Sequence, residues 1–148
     1  AGGGGLTAGC SIIFKHHNPN IQIFTTEPED WNDQERSYAS GTIQSAPTNA
    51  SGLCDGLLTP EPGEIPFSIN LALGIQGLSC EEQYIFDAMQ LAKEAFAVEL
   101  EPSGAIALAN LIKHKDKFQE KNVFLTFSGG NVDPEVLNEC LAKAKLGL

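Results

Sequence analysis

Gly2, Gly3, Gly4 and Gly5, followed by Leu6 and an apolar, helix-compatible run over residues 7–14, have the composition of an anion cradle that opens a helix. Without a Cβ the backbone takes conformations closed to other residues, so successive N–H groups can converge on one anion at the positive end of a helix. A loop of this kind ordinarily follows a strand. Here the glycines start at position 2, so the sequence reads as one that begins inside a domain. On its own a glycine run also suits a flexible linker or another nucleotide loop. Glu27 stands where a dinucleotide-binding unit carries its acidic residue, although the G-x-G-x-x-G spacing is not met.

Three further sets of residues have chemical potential. Glu27 and Asp33 offer two hard carboxylate ligands close in sequence, a pairing suited to Mg²⁺ or Ca²⁺, while Glu29, Asp30 and Glu35 make the same stretch readable as an acidic surface loop. Ser128 precedes two glycines that permit close approach of a flat ligand, and its hydroxyl suits a hydrogen bond to a ring nitrogen. The simpler reading is a strand-to-helix turn with Asp133 as the helix cap. Glu101 stands before Pro102-Ser103-Gly104-Ala105, where a carboxylate either faces a ligand or stabilises a helix N-terminus. His16, His17 and His114 sit among lysines at expected helix ends and read as solvated, dipole-compensating residues.

The elements that must position these groups alternate in type. Helices are expected over residues 6–17, ended by Asn18-Pro19, over 104–115, and over 134–145, where Asp133-Pro134 supplies a cap and a first-turn proline. Ser79-Cys80-Glu81-Glu82 has the form of a capping box before a helix whose apolar residues Ile85, Met89, Ala92 and Phe96 recur at helical spacing. Strands are expected over residues 21–26 and, more continuously apolar and so buried on both faces, over 123–127. The proline-rich stretch 41–66 is expected to be a long ordered loop; it holds a glycosylation sequon, Asn49-Ala50-Ser51, to which no role is given. Helices alternating with β-branched strands predict an α/β layered fold with a largely parallel sheet.

Composition narrows the function. The 148 residues, 42% hydrophobic, suit one core, and the formal charge of −10, with Arg36 as the only arginine, argues against nucleic acid as a partner. No apolar run reaches the length of a membrane span and no signal pattern opens the chain, so a cytoplasmic location is expected. Cys10, Cys54, Cys80 and Cys140 form no CxxC pair and read as reduced, packed thiols.

Four segments together resemble one family: residues 2–6, Glu27-Pro28 with Asp33, residues 101–105, and Ser128-Gly129-Gly130-Asn131-Val132-Asp133. They are similar to the second half of a fold-type II pyridoxal-phosphate enzyme of the serine/threonine dehydratase and serine racemase group. The resemblance runs nearly end to end and is weakest over residues 42–52. It implies a three-layer α/β fold with a mostly parallel sheet, residues 1–148 forming the C-terminal part of the large domain. It also implies that the N–H groups of Gly2, Gly3, Gly4, Gly5 and Leu6 hold the cofactor phosphate and that Ser128 and Gly129 meet the pyridine ring. Glu101 would lie near that ring, and Asp55 and Gly56 would run past the cofactor. A divalent cation would be held by Glu27, Asp33 and the Trp31 carbonyl.

The resemblance also marks a gap. In this family the lysine that joins the cofactor lies in a Ser-x-Lys-x-Arg-Gly-like context, and none of the lysines here does. The reading is therefore a partial threonine/serine dehydratase, whose parent eliminates water from L-threonine or L-serine to give a 2-oxo acid and ammonia. The 148 residues alone are expected to be inactive and, with unpaired sheet edges, to self-associate. The alternative is a non-catalytic module for a phosphorylated ligand or a dinucleotide.

Overall fold

At Gly4 the chain takes a left-handed turn (φ 87°) that a side chain would strain, and helix α1 (Gly5–His17) starts immediately after it. Lys15, His16 and His17 fall in its last turn, where positive charge complements the helix dipole, and the N–H of Asn18 closes the helix on the Phe14 carbonyl. The computed structural model describes residues 1–47 and 52–146, so the sequon at Asn49 lies outside the described residues. These fall into two compact units: Ala1–Gly52 with Gly56–Ser79, and Leu53–Asp55 with the chain from Cys80 onward.

In the first unit, α1 is followed by strand β1 (Phe24–Pro28), a 3-10 turn (Glu29–Trp31), helix α2 (Asp33–Ser40), helix α3 (Glu64–Ala72) and strand β2 (Gln76–Cys80), whose last residue enters the second unit. The strands pair as a small parallel sheet, and the N–H of Gln76 donates to the Ile23 carbonyl at 3.3 Å. β1 begins later than residue 21 because Ile21 closes a turn on the Asn18 carbonyl. The expected long loop over 41–66 ends in α3. Pro66 is tolerated there because first-turn N–H groups have no partner within a helix.

The second unit is helical: α4 (Glu82–Phe96), α5 (Pro102–Lys113) and α6 (Pro134–Lys143), with α4 packed on both others. Ile85, Met89 and Ala92 are buried at the expected spacing, but Phe96 is exposed. Each large apolar side chain on this face contributes about 1.5–3 kcal/mol by leaving water. Asp133 caps α6 as expected, accepting from the N–H of Glu135 at 2.8 Å.

Two expectations do not hold. The capping box does not form: Ser79 and Cys80 belong to β2, the helix begins from Glu81 with no side-chain cap, and the Ser79 hydroxyl donates instead to Glu35 Oε2 at 2.5 Å. Residues 123–127 are not a buried strand. They take no strand conformation, and Phe124 is 85% exposed. β-propensity yields a strand only where a neighbour accepts its ladder of hydrogen bonds, and among the described residues none does so for this segment.

Candidate cofactor site

The glycine loop is held from its carbonyl side. The Gly2 carbonyl accepts from Gln34 Nε2 at 2.6 Å, that of Gly3 from the N–H of Gly63 at 3.1 Å, and that of Gly4 from the N–H of Ala8 at 2.9 Å and Asn70 Nδ2 at 3.4 Å. The N–H groups of Gly2 through Leu6 have no partner among the described residues. α1 also lacks a side-chain cap and has no acidic residue in its first turn. Its N-terminus therefore presents free donors and partial positive charge, the chemistry that holds a phosphate.

The acidic pair lies in the same unit. Glu27, near the end of β1, is fully buried, and its two carboxylate oxygens accept from the N–H groups of Gln34 at 3.0 Å and Glu35 at 2.9 Å. It thereby caps α2, which Asn32 does not. Asp33 is 1% exposed, and neither of its carboxylate oxygens has a hydrogen-bond partner among the described residues. Burial pushes the Glu27 carboxyl up to about 7, with the Asp33 charge adding to the rise, and burial pushes Asp33 up to about 6. Two buried carboxylates, one of them orphaned, beside the buried Trp31 fit a bound cation. Among the described residues no three His, Cys, Asp or Glu side chains gather as a metal cage, so such a site would need the Trp31 carbonyl and water as well.

Ser128, Gly129 and Glu101 meet in the second unit. The N–H of Glu101 donates to the Gly129 carbonyl at 3.0 Å, while the Glu101 carbonyl accepts from Gly104 and Ala105 in the first turn of α5. Gly129 has a left-handed φ of 79°, and a Cβ there would overlap the Glu101 carboxylate; a Cβ on Gly104 would overlap the Ser128 carbonyl. Both glycines are thus required by close approach, and the Ser128-Gly129 turn lies directly on the start of α5. Ser128 is exposed, outside any strand, in contrast to the expected strand end. Asp55 and Gly56 are exposed in a 3-10 turn (Asp55–Leu57), with Asp55 in the second unit and Gly56 in the first. Cys10 is exposed, while Cys54, Cys80 and Cys140 are buried; all four are free thiols.

Sequence reasoning missed the polar support beneath the loop. Tyr38 donates to Gln34 Oε1 at 2.5 Å and accepts from Asn70 Nδ2 at 3.0 Å, so Gln34, Tyr38 and Asn70 form one network. Asn70 within the apolar segment Glu64–Ala72 is the one available signal, because a lone buried amide in an apolar helix demands partners.

A loop of backbone donors without partners among the described residues, at a helix start, has the chemistry of an anion site. The profile of the family described as "Pyridoxal-phosphate dependent enzyme" matches residues 1–129, and the chain belongs to that family. It is 39% identical over 143 residues to the serine racemase of Dictyostelium discoideum, covering 95% of this chain and 44% of the relative. It is 33% identical over 132 residues to the L-threo-3-hydroxyaspartate ammonia-lyase of Saccharomyces cerevisiae, covering 89% and 40%. Among solved structures, the T.th. threonine deaminase superposes with a TM-score of 0.84 at 31% identity, covering 90% of this chain and 48% of that one. The fold is that of the C-terminal part of a fold-type II large domain, and the chain spans less than half the length of these relatives. The family's cofactor is pyridoxal phosphate, as the resemblance implied.

Proposed function

We propose that this chain is part of a threonine/serine dehydratase, an ammonia-lyase that converts L-threonine or L-serine to a 2-oxo acid and ammonia. The observation that carries the reading is the row of N–H groups from Gly2 to Leu6 that have no partner among the described residues, with their carbonyls committed elsewhere. Those donors would hold the cofactor phosphate. The Ser128 hydroxyl would donate to the pyridine nitrogen, with Gly129 and Glu101 setting its position and the backbone of Asp55 and Gly56 bordering the cofactor. When bound, pyridoxal phosphate supplies the electron sink that labilises the α-proton of an amino acid. A neutral hydroxyl such as that of Ser128 does not hold a proton on the ring nitrogen as a carboxylate would. The sink it leaves is moderate and suits loss of a β-hydroxyl. Glu27, Asp33 and the Trp31 carbonyl would hold a divalent cation that supports the loop without entering the chemistry.

The same proposal has residues 1–148 as one partial domain of a cytoplasmic enzyme. These residues alone are inactive, because no lysine among them has the family's cofactor-joining context, and they self-associate through exposed apolar side chains such as Leu6 and Phe124. No helix among the described residues is long and apolar enough to cross a membrane.

The experiment is a lyase assay on the full-length protein with L-threonine and L-serine. It is paired with borohydride reduction of this chain incubated with pyridoxal phosphate. The proposal expects 2-oxo acid from the full-length protein and no reduced lysine adduct in residues 1–148. Racemised serine without 2-oxo acid, or a site-specific lysine adduct in this chain, overturns it.

A further inference from the structure

We propose that Gln34 is a positioning residue for the glycine loop, holding the Gly2 carbonyl so that the loop's N–H groups face the phosphate. The inference rests on the reading of that loop as the phosphate site. It goes beyond that reading by assigning the loop's geometry to a side chain on another element.

Gln34 is completely buried at the start of α2, and all of its polar side-chain groups are committed. Its N–H donates to Glu27 Oε1 at 3.0 Å, its Nε2 donates to the Gly2 carbonyl at 2.6 Å, and its Oε1 accepts from the Tyr38 hydroxyl at 2.5 Å. The amide is therefore fixed at both ends. Tyr38 is fixed in turn by Asn70 Nδ2, which also reaches the Gly4 carbonyl at 3.4 Å, and its ring stacks on Phe67 with centroids 6.0 Å apart. The peptide group is rigid, so anchoring the Gly2 carbonyl also orients the N–H of Gly3 on the opposite side of the same peptide plane. Four consecutive glycines have the least intrinsic preference for any backbone conformation, and an unanchored loop would pay that ordering entropy on binding its anion. Pre-orientation by Gln34 removes part of that penalty. The same residue ties the loop to the buried acidic pair, because the Glu27 carboxylate fixes the turn of α2 from which Gln34 projects.

The test uses the full-length protein and compares affinity for pyridoxal 5′-phosphate with affinity for pyridoxal, which lacks the phosphate, together with the ³¹P chemical shift of the bound phosphate. Gln34→Met retains side-chain length and apolar packing but neither side-chain hydrogen bond. It is expected to weaken pyridoxal 5′-phosphate about tenfold, to move the ³¹P shift, and to leave pyridoxal binding unchanged. A Gln34→Met protein with wild-type affinity and ³¹P shift overturns the inference. If Gln34→Met does not fold, Tyr38→Phe, which frees Gln34 Oε1, is expected to give a smaller loss of about threefold with the same phosphate selectivity. Unchanged affinity in folded Tyr38→Phe then overturns it. Failure of the underlying reading looks different: the wild-type protein itself would bind pyridoxal as tightly as pyridoxal 5′-phosphate.

Discussion

Glu27, the penultimate residue of β1, caps α2 through the backbone N–H of Gln34 at 3.0 Å, so a buried carboxylate joins strand, helix and glycine loop. Replacing Glu27 by Ala leaves two helix N–H groups without their acceptor and is expected to cost about 1–3 kcal/mol. Chemical denaturation of the two proteins side by side measures it, and an unchanged midpoint would remove Glu27 from this role.

Asp33 supplies the complementary test of cation binding. Its carboxylate is buried without a hydrogen-bond partner among the described residues, and a cation, if bound there, would offset the desolvation of both Asp33 and Glu27. Millimolar Mg²⁺ or Ca²⁺ is expected to raise the thermal midpoint of the wild-type protein and to leave that of Asp33→Ala where it was. Equal shifts in the two proteins would show that the ions act elsewhere.

Two glycines predict opposite outcomes for the same substitution. Gly104→Ala drives a Cβ into the Ser128 carbonyl and should destabilise by about 1–3 kcal/mol through overpacking. Gly9 lies inside α1 with nothing within 4 Å of an added methyl, so Gly9→Ala should stabilise by about 0.5–1 kcal/mol through helix propensity. An unchanged or raised urea midpoint for Gly104→Ala would contradict the packing described at the start of α5.

The alkaline limb of stability has a defined sign. Burial pushes the Cys54 thiol up from 9.0 to about 12 and the Tyr38 hydroxyl up from 10.0 to about 12. The unfolded chain releases these protons from pH 9 to 10 upward, whereas the folded chain keeps them. The stability they contribute is fully present below about pH 9 and is lost as pH rises toward about 12. Folded protein at pH 8 should alkylate at Cys10 well before Cys54, and urea midpoints should fall from pH 8 to pH 11. Equal alkylation rates at the two cysteines would contradict the burial of Cys54.

The parts legible in the sequence are those set by local chemistry. α1 and α6 follow from the Asn18-Pro19 stop and from the Asp133-Pro134 cap, each acting within one turn, whereas α5 starts at Pro102, ahead of the expected Gly104. The acidic residues and glycines of the candidate site stand out by type alone. What could not be read depends on partners distant in sequence. Ser79 has the residue type of a cap, but its hydroxyl is committed to Glu35, and residues 123–127 carry strand propensity without a neighbour among the described residues to pair with. Gln34 was invisible for the same reason, since a glutamine in an acidic stretch gives no sign that a carbonyl 32 residues away will meet it.

Amide NMR of ¹⁵N-labelled protein titrated with pyridoxal 5′-phosphate shows whether the backbone N–H groups from Gly2 to Leu6 take the cofactor phosphate. The largest amide shifts are expected on Gly2, Gly3, Gly4, Gly5 and Leu6, and pyridoxal without phosphate is expected not to reproduce them. Unmoved glycine amides in the presence of bound pyridoxal 5′-phosphate would contradict phosphate binding there.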